Sequence, residues 1–397
     1  MNPNHPFLLT LNGGSSSIRF ALYRRDGTLT RGLSGKLDRI GMPGIGLTVR
    51  EPVGGVEESL PLTMQDGVAP EDWLLGWLEA RPEFALIEAV GHRVVHGMER
   101  TGPEWVTEAL LEGLNGIVDC DPEHLPRAIA LMDAVRRRHP ELRQVVCFDT
   151  AFHRTLPRVA RLLAIPRRYD AKGIQRYGFH GLSYAYLMEE LVARGDAAAT
   201  EGRVILAHLG NGASMAAVRD GRSVDTSMGF TPTAGLVMGR RSGDLDPGLV
   251  AYLVRTEGLS LAAYSRMVSA ESGLLGLSET SSDMRDLLSR ASGDVRAAEA
   301  VELFCYAAKK CVGSYAAVLG GLDTLVFAGG IGENCPTVRA RICEGLGFLG
   351  IELHSERNAE NAPLISRPGG QVMVRVIRTD EELMIAQAVS RLMDGIV

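Results

Sequence analysis

The chain has 397 residues, which is enough for two domains that each bury a core of their own. Its hydrophobic content of 45% and charged content of 23% are typical of soluble globular proteins. With 42 basic and 48 acidic residues the net charge is −6, which excludes a broad basic surface for nucleic acid. No stretch approaches the ~20 apolar residues of a membrane helix, and the N-terminus lacks a signal-peptide pattern. We therefore expect a cytoplasmic protein with neither membrane nor nucleic acid as partner.

Cysteine and histidine are arranged too sparsely to predict a disulfide framework or a zinc site. The six cysteines include no Cys-x-x-Cys pair. His92 and His96 would share one face of a predicted strand, but no cluster of Cys or Glu supports them.

The N-terminal segment predicts a β-hairpin. Apolar runs at residues 7–11 and 18–23 flank a turn with Asn12, two glycines and Ser15, and an Asp-Gly turn follows. Backbone amides in a glycine-rich turn can approach a phosphate closely because no side chains intervene. Similar turns occur in proteins that bind no phosphate, so the segment alone leaves both possibilities open.

Two charged residues accompany the next predicted elements. A helix is predicted from Pro70, and further helices at 104–117 and 126–138. Arg93 lies within a predicted strand at 89–95, and Asp149 comes directly after a predicted strand at 145–148. Ligands of α/β sheets gather at the carboxyl ends of strands, which favours a functional role for Asp149. The structural alternatives are a turn-capping aspartate and an arginine paired with a carboxylate.

The second half of the chain repeats the first hairpin. Apolar runs at 204–207 and 215–218 flank Gly210, Asn211 and Gly212, and an Asp-Gly turn again follows. A supersecondary unit that occurs twice indicates a duplicated domain.

Glycines also surround two further segments. His180 lies between two glycines ahead of a predicted helix at 183–193, so a ligand could approach its ring. A strand at 324–328 enters a glycine turn at 329–334 before a helix near Pro336, an arrangement in which a nucleotide can lie.

Three helix boundaries can be predicted from capping residues. Asp246 is expected to cap a helix that has Pro247 at its first position. A long helix spans 295–319 and is expected to end at Gly320 and Gly321. After a last strand, Thr379 and Glu382 have the spacing of a capping box for the final helix.

The chain resembles the acetate kinase family in a series of motifs that occur in the family's order. They are LNGGSSSIRF, GHRVVHG, FDTAFH, YGFHG, HLGNGAS, SVDTSMGFTP, GRRSGDLDP, SSDMRD, AGGIGEN, VRARICEGLGFLG and TDEELMIA. The resemblance implies an α/β fold of duplicated actin-like ATPase (ribonuclease H-like) domains, with mixed sheets flanked by helices and the active site in the interdomain cleft. The expected domains are 1–150 with 380–397, on the acceptor side, and 151–379, which binds adenosine.

The resemblance also implies the reaction, which is reversible in-line transfer of the γ-phosphoryl group of ATP to acetate, giving acetyl phosphate and ADP. Mg²⁺ is the expected cofactor, Mn²⁺ could replace it, and the expected partner is a second copy of the chain. The implied catalytic residues are Arg93, Asp149, His180 and Arg241. The implied acceptor-binding residues are Arg93, Val95, Phe179 and Pro232, and the implied metal site contains Asn12 and Glu381. The implied ATP-binding residues are Arg19, His208, Leu209, Gly210, Asn211, Gly212, Asp283, Met284, Arg285, Gly330, Ile331, Gly332, Glu333 and Asn334.

The chain departs from the family at several of these positions. Arg19 replaces a lysine, Met98 replaces a glycine, and Glu123 and Leu125 replace an apolar residue and an asparagine on either side of a histidine. A glutamate in the acyl pocket would repel acetate, so either Glu123 turns away or the acceptor differs. The alternatives are a propionate, butyrate or other short-chain carboxylate kinase, and an actin-like ATP-binding interaction protein. The presence of both Arg93 and Arg241 argues against the last of these.

Overall fold

The computed structural model describes residues 5–14, 16–51, 57–63 and 67–396, so Ser15 of the predicted first turn lies outside the described residues. The chain divides into two compact units. The first comprises Met1–Ala151 and Asp380–Val397, and the second comprises Phe152–Thr379.

The first unit is built on an eight-stranded sheet. Its strands are β1 (Phe7–Gly13), β2 (Ser17–Arg25), β3 (Leu29–Asp38), β4 (Gly46–Arg50), β5 (Glu57–Pro61), β6 (Ile87–Val94), β7 (Glu104–Trp105) and β8 (Arg143–Phe148). Their order across the sheet is β5-β4-β3-β2-β1-β6-β8-β7. The predicted first hairpin is confirmed, since β1 and β2 pair antiparallel. Strand β6 runs parallel to both β1 and β8.

Three helices accompany this sheet, namely α1 (Pro70–Glu79), α2 (Glu108–Asn115) and α3 (Leu125–Arg138). The helix predicted at 104–117 is shorter than expected because its first two residues form β7, and Thr107 then caps α2 by accepting from Leu110 N at 3.1 Å. Helices α1 and α3 contribute Leu74, Leu78 and Val135 to a core shared with β1 and β2.

The second unit is built on a five-stranded sheet that repeats part of the first. Its strands are β9 (Arg203–Leu209), β10 (Ala213–Arg219), β11 (Arg222–Thr226), β12 (Thr324–Ala328) and β13 (Met373–Val376), in the order β11-β10-β9-β12-β13. Strands β9, β10 and β11 pair antiparallel, whereas β9, β12 and β13 pair parallel. Strands β3-β2-β1-β6-β8 have the same order and directions, which confirms the duplication predicted from the two hairpins.

Twelve α-helices of the second unit lie within the described part of the chain. They are α4 (Arg158–Arg161), α5 (Arg167–Asp170), α6 (Gly181–Ala193), α7 (Ala198–Glu201), α8 (Gly248–Glu257), α9 (Leu261–Arg266), α10 (Gly273–Ser278), α11 (Met284–Arg290), α12 (Val295–Leu319), α13 (Gly329–Asn334), α14 (Pro336–Cys343) and α15 (Ser355–Ala359).

Two predictions in this unit need correction. The segment 329–334, expected as an open glycine turn, forms α13, because the Glu333 side chain accepts from the first amide of the segment, that of Gly329, at 3.0 Å. Helix α8 begins one residue later than predicted, with Asp246 Oδ1 accepting from Gly248 N at 2.6 Å. The long helix at 295–319 is confirmed.

The last helix, α16 (Glu381–Met393), belongs to the first unit. Its cap is Asp380, which accepts from Leu383 N at 2.9 Å, and not Thr379 as predicted. The helix packs closely on β6, where a β-carbon on Gly91 would collide with Ile385. Within the described ranges, no helix combines the length and the apolar character needed to cross a bilayer.

Candidate active site

Arg93 and Asp149 meet at the carboxyl ends of two adjacent parallel strands. Arg93 is the penultimate residue of β6, and Asp149 directly follows β8. The guanidinium donates to Asp149 Oδ2 through Nε at 3.1 Å and through Nη2 at 2.6 Å. Arg93 is therefore paired with a carboxylate, which was the structural alternative to a functional role. The partner, Asp149, is itself a predicted site residue.

Asn12 and Glu381 extend this pair into a network. Asn12, near the end of β1, accepts from Arg93 Nη1 through Oδ1 at 3.2 Å and donates to Glu381 Oε2 through Nδ2 at 3.0 Å. Four of the predicted residues thus form one connected group, which we call the acceptor-side cluster: Asn12, Arg93, Asp149 and Glu381.

Burial and the neighbouring charges together set the pKa values in this cluster. Burial raises the pKa of the Asp149 carboxyl, Arg93 opposes this shift, and Glu381 adds to it. Burial alone would lower the pKa of Arg93, but Asp149 and Glu381 raise it above its ordinary value, so the guanidinium stays charged. The second oxygen of Asp149, Oδ1, is buried and has no hydrogen-bond partner among the described residues. A cation or a donor on a ligand would satisfy that atom.

The segment that leads into α3 contains two of the departures from the family pattern, Glu123 and Leu125. Glu123 is exposed, whereas Asp121, two residues earlier, is buried and lies 2.8 Å from His124 Nδ1 through Oδ1. Leu125 packs in one core with Val94 and Phe148, the neighbours of Arg93 and Asp149. The carboxylate that turns inward is therefore Asp121, which sequence reasoning did not select.

Met98 adopts a backbone conformation that favours glycine. Its φ is +50°, and its sulfur lies 3.9 Å from Cys120 Sγ. The glycine of the family at this position is explained by that left-handed conformation, which a side chain adopts only at some cost. Val95, three residues earlier, is buried.

In the second unit, four predicted residues converge on the turn of the β9–β10 hairpin. A β-carbon on Gly212 would lie 3.3 Å from His180 Nε2 and 3.7 Å from Arg241 Nη1. A β-carbon on Gly210 would lie 3.9 Å from His208 Nε2 and 3.8 Å from the amide nitrogen of Gly330. Only glycines leave this space open beside three cationic or polar side chains.

His180 is held in an unusual conformation before α6. Its φ is +60°, its ring stacks on His208 with centroids 4.2 Å apart, and its Nδ1 lies 2.8 Å from Ser214 Oγ. His153, which sequence reasoning did not select, lies 3.1 Å from the Phe179 carbonyl through Nε2. Burial lowers the pKa of His153 to about 4, so the ring is neutral near pH 7.

Arg241 and Asn211 are fixed by nearby backbone. Arg241 Nη1 donates to the Pro232 carbonyl at 3.4 Å, and Gly239 N donates to the Asn211 carbonyl at 2.9 Å. Arg176 Nη1 donates to three successive carbonyls, of residues 226–228, and so shapes the loop that leads to Pro232. No local sequence pattern singled out Arg176, because its acceptors lie fifty residues away.

The predicted nucleotide-binding residues occupy several environments. Asp283 caps α11 and binds the exposed Arg285 guanidinium through Nη2 at 2.6 Å, while Met284 is buried in the core. Glu333 accepts from Gly329 N and also from Thr379 N, at 3.3 Å. Arg19, on β2, is exposed. The remaining members lie at the end of β9 and in α13: Leu209, Ile331, Gly332 and Asn334.

Comparison with known proteins places these features in a family. The profile of the acetokinase family matches residues 7–387. Acetate kinase of Rhodopseudomonas palustris (strain TIE-1) is 45% identical over 400 residues, and that of Deinococcus radiodurans is 44% identical over 394 residues, each match covering 98% of both chains.

Two solved structures share the fold. Acetate kinase of Porphyromonas gingivalis superposes with a TM-score of 0.87 and 36% identity, covering 98% of this chain and 100% of that one. A propionate kinase of Francisella tularensis subsp. tularensis SCHU S4 superposes with a TM-score of 0.88 and 35% identity, covering 96% and 98%. The two mixed sheets are accordingly those of the duplicated actin-like ATPase fold. Since both the profile and these relatives extend over nearly its whole length, the chain belongs to the acetokinase family.

Proposed function

We propose that this protein is an acetate kinase, which transfers the γ-phosphoryl group of ATP reversibly and in line to acetate, giving acetyl phosphate and ADP. The observation that carries the proposal is the presence, in an acetokinase-family chain, of a strand-end arginine bound by Asp149 and a glycine hairpin beside His180 and Arg241. The acceptor is already ionised at neutral pH, so the reaction needs charge neutralisation and alignment more than a general base.

In this proposal Arg93 binds the acceptor carboxylate and the phosphoryl group in transfer, because a guanidinium offers paired donors to planar or trigonal oxygens. Asp149 orients Arg93 through two hydrogen bonds to one oxygen. Its ion pair to Arg93 suits it to holding charge in place better than to removing a proton. Val95, Phe179 and Pro232 are the residues proposed to bind the acyl methyl group.

His180 and Arg241 donate to the transferring phosphoryl group, supported by His208. Their closeness to the Gly212 position supports this role, since donors around a glycine turn can surround phosphate oxygens. The amides of residues 210–212 contact the phosphates of ATP. The residues that bind the rest of the nucleotide are Arg19, Leu209, Asp283, Met284, Arg285, Gly330, Ile331, Gly332, Glu333 and Asn334.

The acceptor-side cluster fits Mg²⁺ by the chemistry of its donors. It supplies two carboxylates and one amide oxygen, and Asp149 Oδ1 is a buried acceptor without a hydrogen-bond partner in the described chain. No group of three or more His, Cys, Asp or Glu with metal-binding geometry occurs among those residues. Mg²⁺ usually keeps several waters, so Asn12, Asp149 and Glu381 could hold it partly through water. When bound, the metal neutralises charge on the β- and γ-phosphates.

The function is tested by trapping the product. Purified protein with ATP and Mg²⁺ is incubated with acetate, propionate or butyrate, and acyl phosphate is captured as the hydroxamate. We expect a hydroxamate with at least one acid, and with acetate at the highest kcat/KM. ATP consumption without hydroxamate from any acid would contradict the proposal and indicate an ATPase or an ATP-binding protein.

A second candidate acceptor is propionate. It is favoured by the departures at Met98 and Leu125 and by the similarity to the Francisella tularensis propionate kinase. A higher kcat/KM for propionate than for acetate in the same assay would select it.

We also propose that the two units correspond to two domains, one of residues 1–150 with 380–397 and the other of residues 151–379.

The protein is further proposed to be a cytoplasmic homodimer. Support for the dimer comes from α8 and α9, which contain no buried residue and expose large apolar side chains. Tyr252 is 57% exposed and Leu261 is 74% exposed. Light scattering after size-exclusion chromatography should give twice the chain mass, and Leu261→Asp should shift it to the monomer. A monomeric native protein would contradict the proposal.

A further inference from the structure

Arg339, on α14, is a fully buried cation that binds only neutral groups. Its side chain is 0% exposed, and all its hydrogen bonds within the described residues go to carbonyl or amide oxygens. Burial lowers its pKa, but an arginine remains charged at neutral pH. A buried charge without a carboxylate partner is costly unless hydrogen bonds satisfy it. The groups that accept its hydrogen bonds therefore indicate which part of the structure Arg339 holds in place.

All five hydrogen bonds of the Arg339 side chain go to backbone carbonyls or to asparagine side chains. Nη1 donates to the carbonyls of Gly332 at 2.7 Å and Glu333 at 3.1 Å. Nε and Nη2 donate to Asn358 Oδ1 and to its carbonyl oxygen, each at 2.8 Å, and Nη2 also donates to Asn361 Oδ1 at 2.6 Å. Arg339 thus ties the end of α13 to α15.

The start of α13 lies against the hairpin strand. Gly329 has a φ of +74°, and a β-carbon on it would lie 2.7 Å from the Leu209 carbonyl. The Gly330 amide nitrogen lies beside Gly210. Six residues, three of them glycine, form a weak helix on their own, so the placement of α13 depends on contacts at its two ends.

We propose that Arg339 is a positioning residue for nucleotide binding: by holding the last carbonyls of α13 it fixes this segment against the hairpin and thereby sets the affinity for ADP and ATP. The inference rests on the proposed function, in which residues 330–334 contact the nucleotide. Arg339 touches no substrate. Its substitution should weaken nucleotide binding and leave acceptor binding unchanged.

Arg339→Lys tests the inference, because lysine keeps the charge but cannot span the five-bond fork. Calorimetry with Mg²⁺ and ADP on the full chain should show a Kd increased at least about tenfold, which corresponds to the loss of roughly one well-formed hydrogen bond. The KM for acetate should stay within about twofold, since binding energies of separate sites are independent.

Asn361→Gly supplies a milder variant if Arg339→Lys fails to fold. Asn361 has a φ of +53°, so glycine keeps the backbone conformation and removes only the side-chain acceptor. It should raise the Kd for ADP about threefold, as expected for part of one hydrogen bond. Arg203→Lys is the matched control, since Arg203 binds Asp323 and the Gly320 carbonyl at the start of β9, the end opposite Gly210. It should lower Tm and leave the Kd unchanged.

Three results would overturn the inference. The first is an ADP Kd within about twofold of wild type in folded Arg339→Lys or, where that variant does not fold, in Asn361→Gly. The second is a rise in the ADP Kd of Arg203→Lys equal to that of Arg339→Lys. The third is a parallel rise in the acetate KM of Arg339→Lys. Failure of the wild-type protein to bind ADP would instead contradict the proposed function.

Discussion

Two nitrogens of Arg93, Nε and Nη2, donate to the same oxygen of Asp149. This geometry fixes the guanidinium in its plane and leaves the other carboxylate oxygen, Oδ1, without a hydrogen-bond partner among the described residues. Because each member of the pair is buried or nearly so, removing either affects stability as well as chemistry.

Arg93→Leu should therefore have two separable effects. Turnover should fall at least ~100-fold through the loss of a transition-state donor, and the free energy of unfolding should fall by about 3 kcal/mol because Asp149 is left as an unpaired buried charge. Adding Asp149→Asn should restore much of the stability without restoring turnover. Urea unfolding and steady-state kinetics measure the two effects. Arg50→Leu, which breaks an exposed pair with Glu57, is the control that should change neither. Wild-type turnover in Arg93→Leu would remove Arg93 from the mechanism.

Gly212→Ala should impair phosphoryl transfer. The new methyl group would lie 3.3 Å from His180 Nε2, so the ring or the turn must shift by a few tenths of an ångström. We expect kcat to fall by about tenfold or more, as misaligned donors lose much of their effect. Gly313→Ala is the control, since no atom lies within 4 Å of its position in α12, and it should leave kcat unchanged. Equal kcat values in the two variants would show that the Gly212 space is not used.

Glu123→Leu should change the acetate KM by less than about threefold, because the side chain is exposed and a single screened charge contributes little. Asp121→Asn should raise the acetate KM more, since it alters the buried contact to His124 next to the core residue Leu125. Initial-rate measurements at saturating ATP decide between them. A sharp improvement in acetate use by Glu123→Leu would mean that Glu123, and not Asp121, faces the acceptor.

Stability should depend on pH through two buried histidines. Burial lowers the pKa of His92 and of His153 from 6.5 to about 4, and a depressed pKa means that the unfolded chain takes up protons first as the pH falls. The stability that the neutral rings provide is complete above pH 6.5 and is lost as the pH falls towards 4. Between pH 7.5 and 5.0 each ring should account for a loss of about 2 kcal/mol.

Urea unfolding at the two pH values, with wild type and His92→Gln, measures this dependence. The variant lacks one of the two titrating rings, so its loss of stability on acidification should be about 2 kcal/mol smaller than that of wild type. An identical loss in the two proteins would show that His92 takes up its proton in the folded state.

The hairpins and most long helices were predictable because their signals are local. Apolar runs flank glycine turns in both hairpins, and the end of α12 is marked by Gly320 in a left-handed conformation. Helix α13 was missed because its composition opposes a helix. Its stability comes from Glu333 at one end and from Arg339, on the following helix, at the other.

Pairing of Arg93 with a carboxylate was the structural alternative for a charge within a predicted strand, and Asp149 was predicted at the end of another strand. The sequence did not predict that these two residues are partners. The burial of Asp121 could not be predicted, because Asp121 and Glu123 flank Pro122 and the local sequence does not decide which of the two is buried. The decision is made by the turn, in which the amides of His124 and Leu125 both donate to the Asp121 carbonyl. Arg176 and His153 were missed because their acceptors are distant in sequence. Arg339 was missed because three of its five side-chain bonds go to residues 19 or 22 positions away.

The membership of α16 in the first unit has a consequence for biosynthesis. The ribosome makes residues 1–151 before the second unit, yet the helix that covers Gly91 on β6 is translated only after the whole of the second unit. All eight strands of the first sheet have then been made, but the sheet lacks α16 on one face throughout the synthesis of more than two hundred further residues. The second unit, being contiguous, can fold on the ribosome before the first unit is complete. A stop codon shortly before residue 380 would leave the sheet that is made first permanently without its helix.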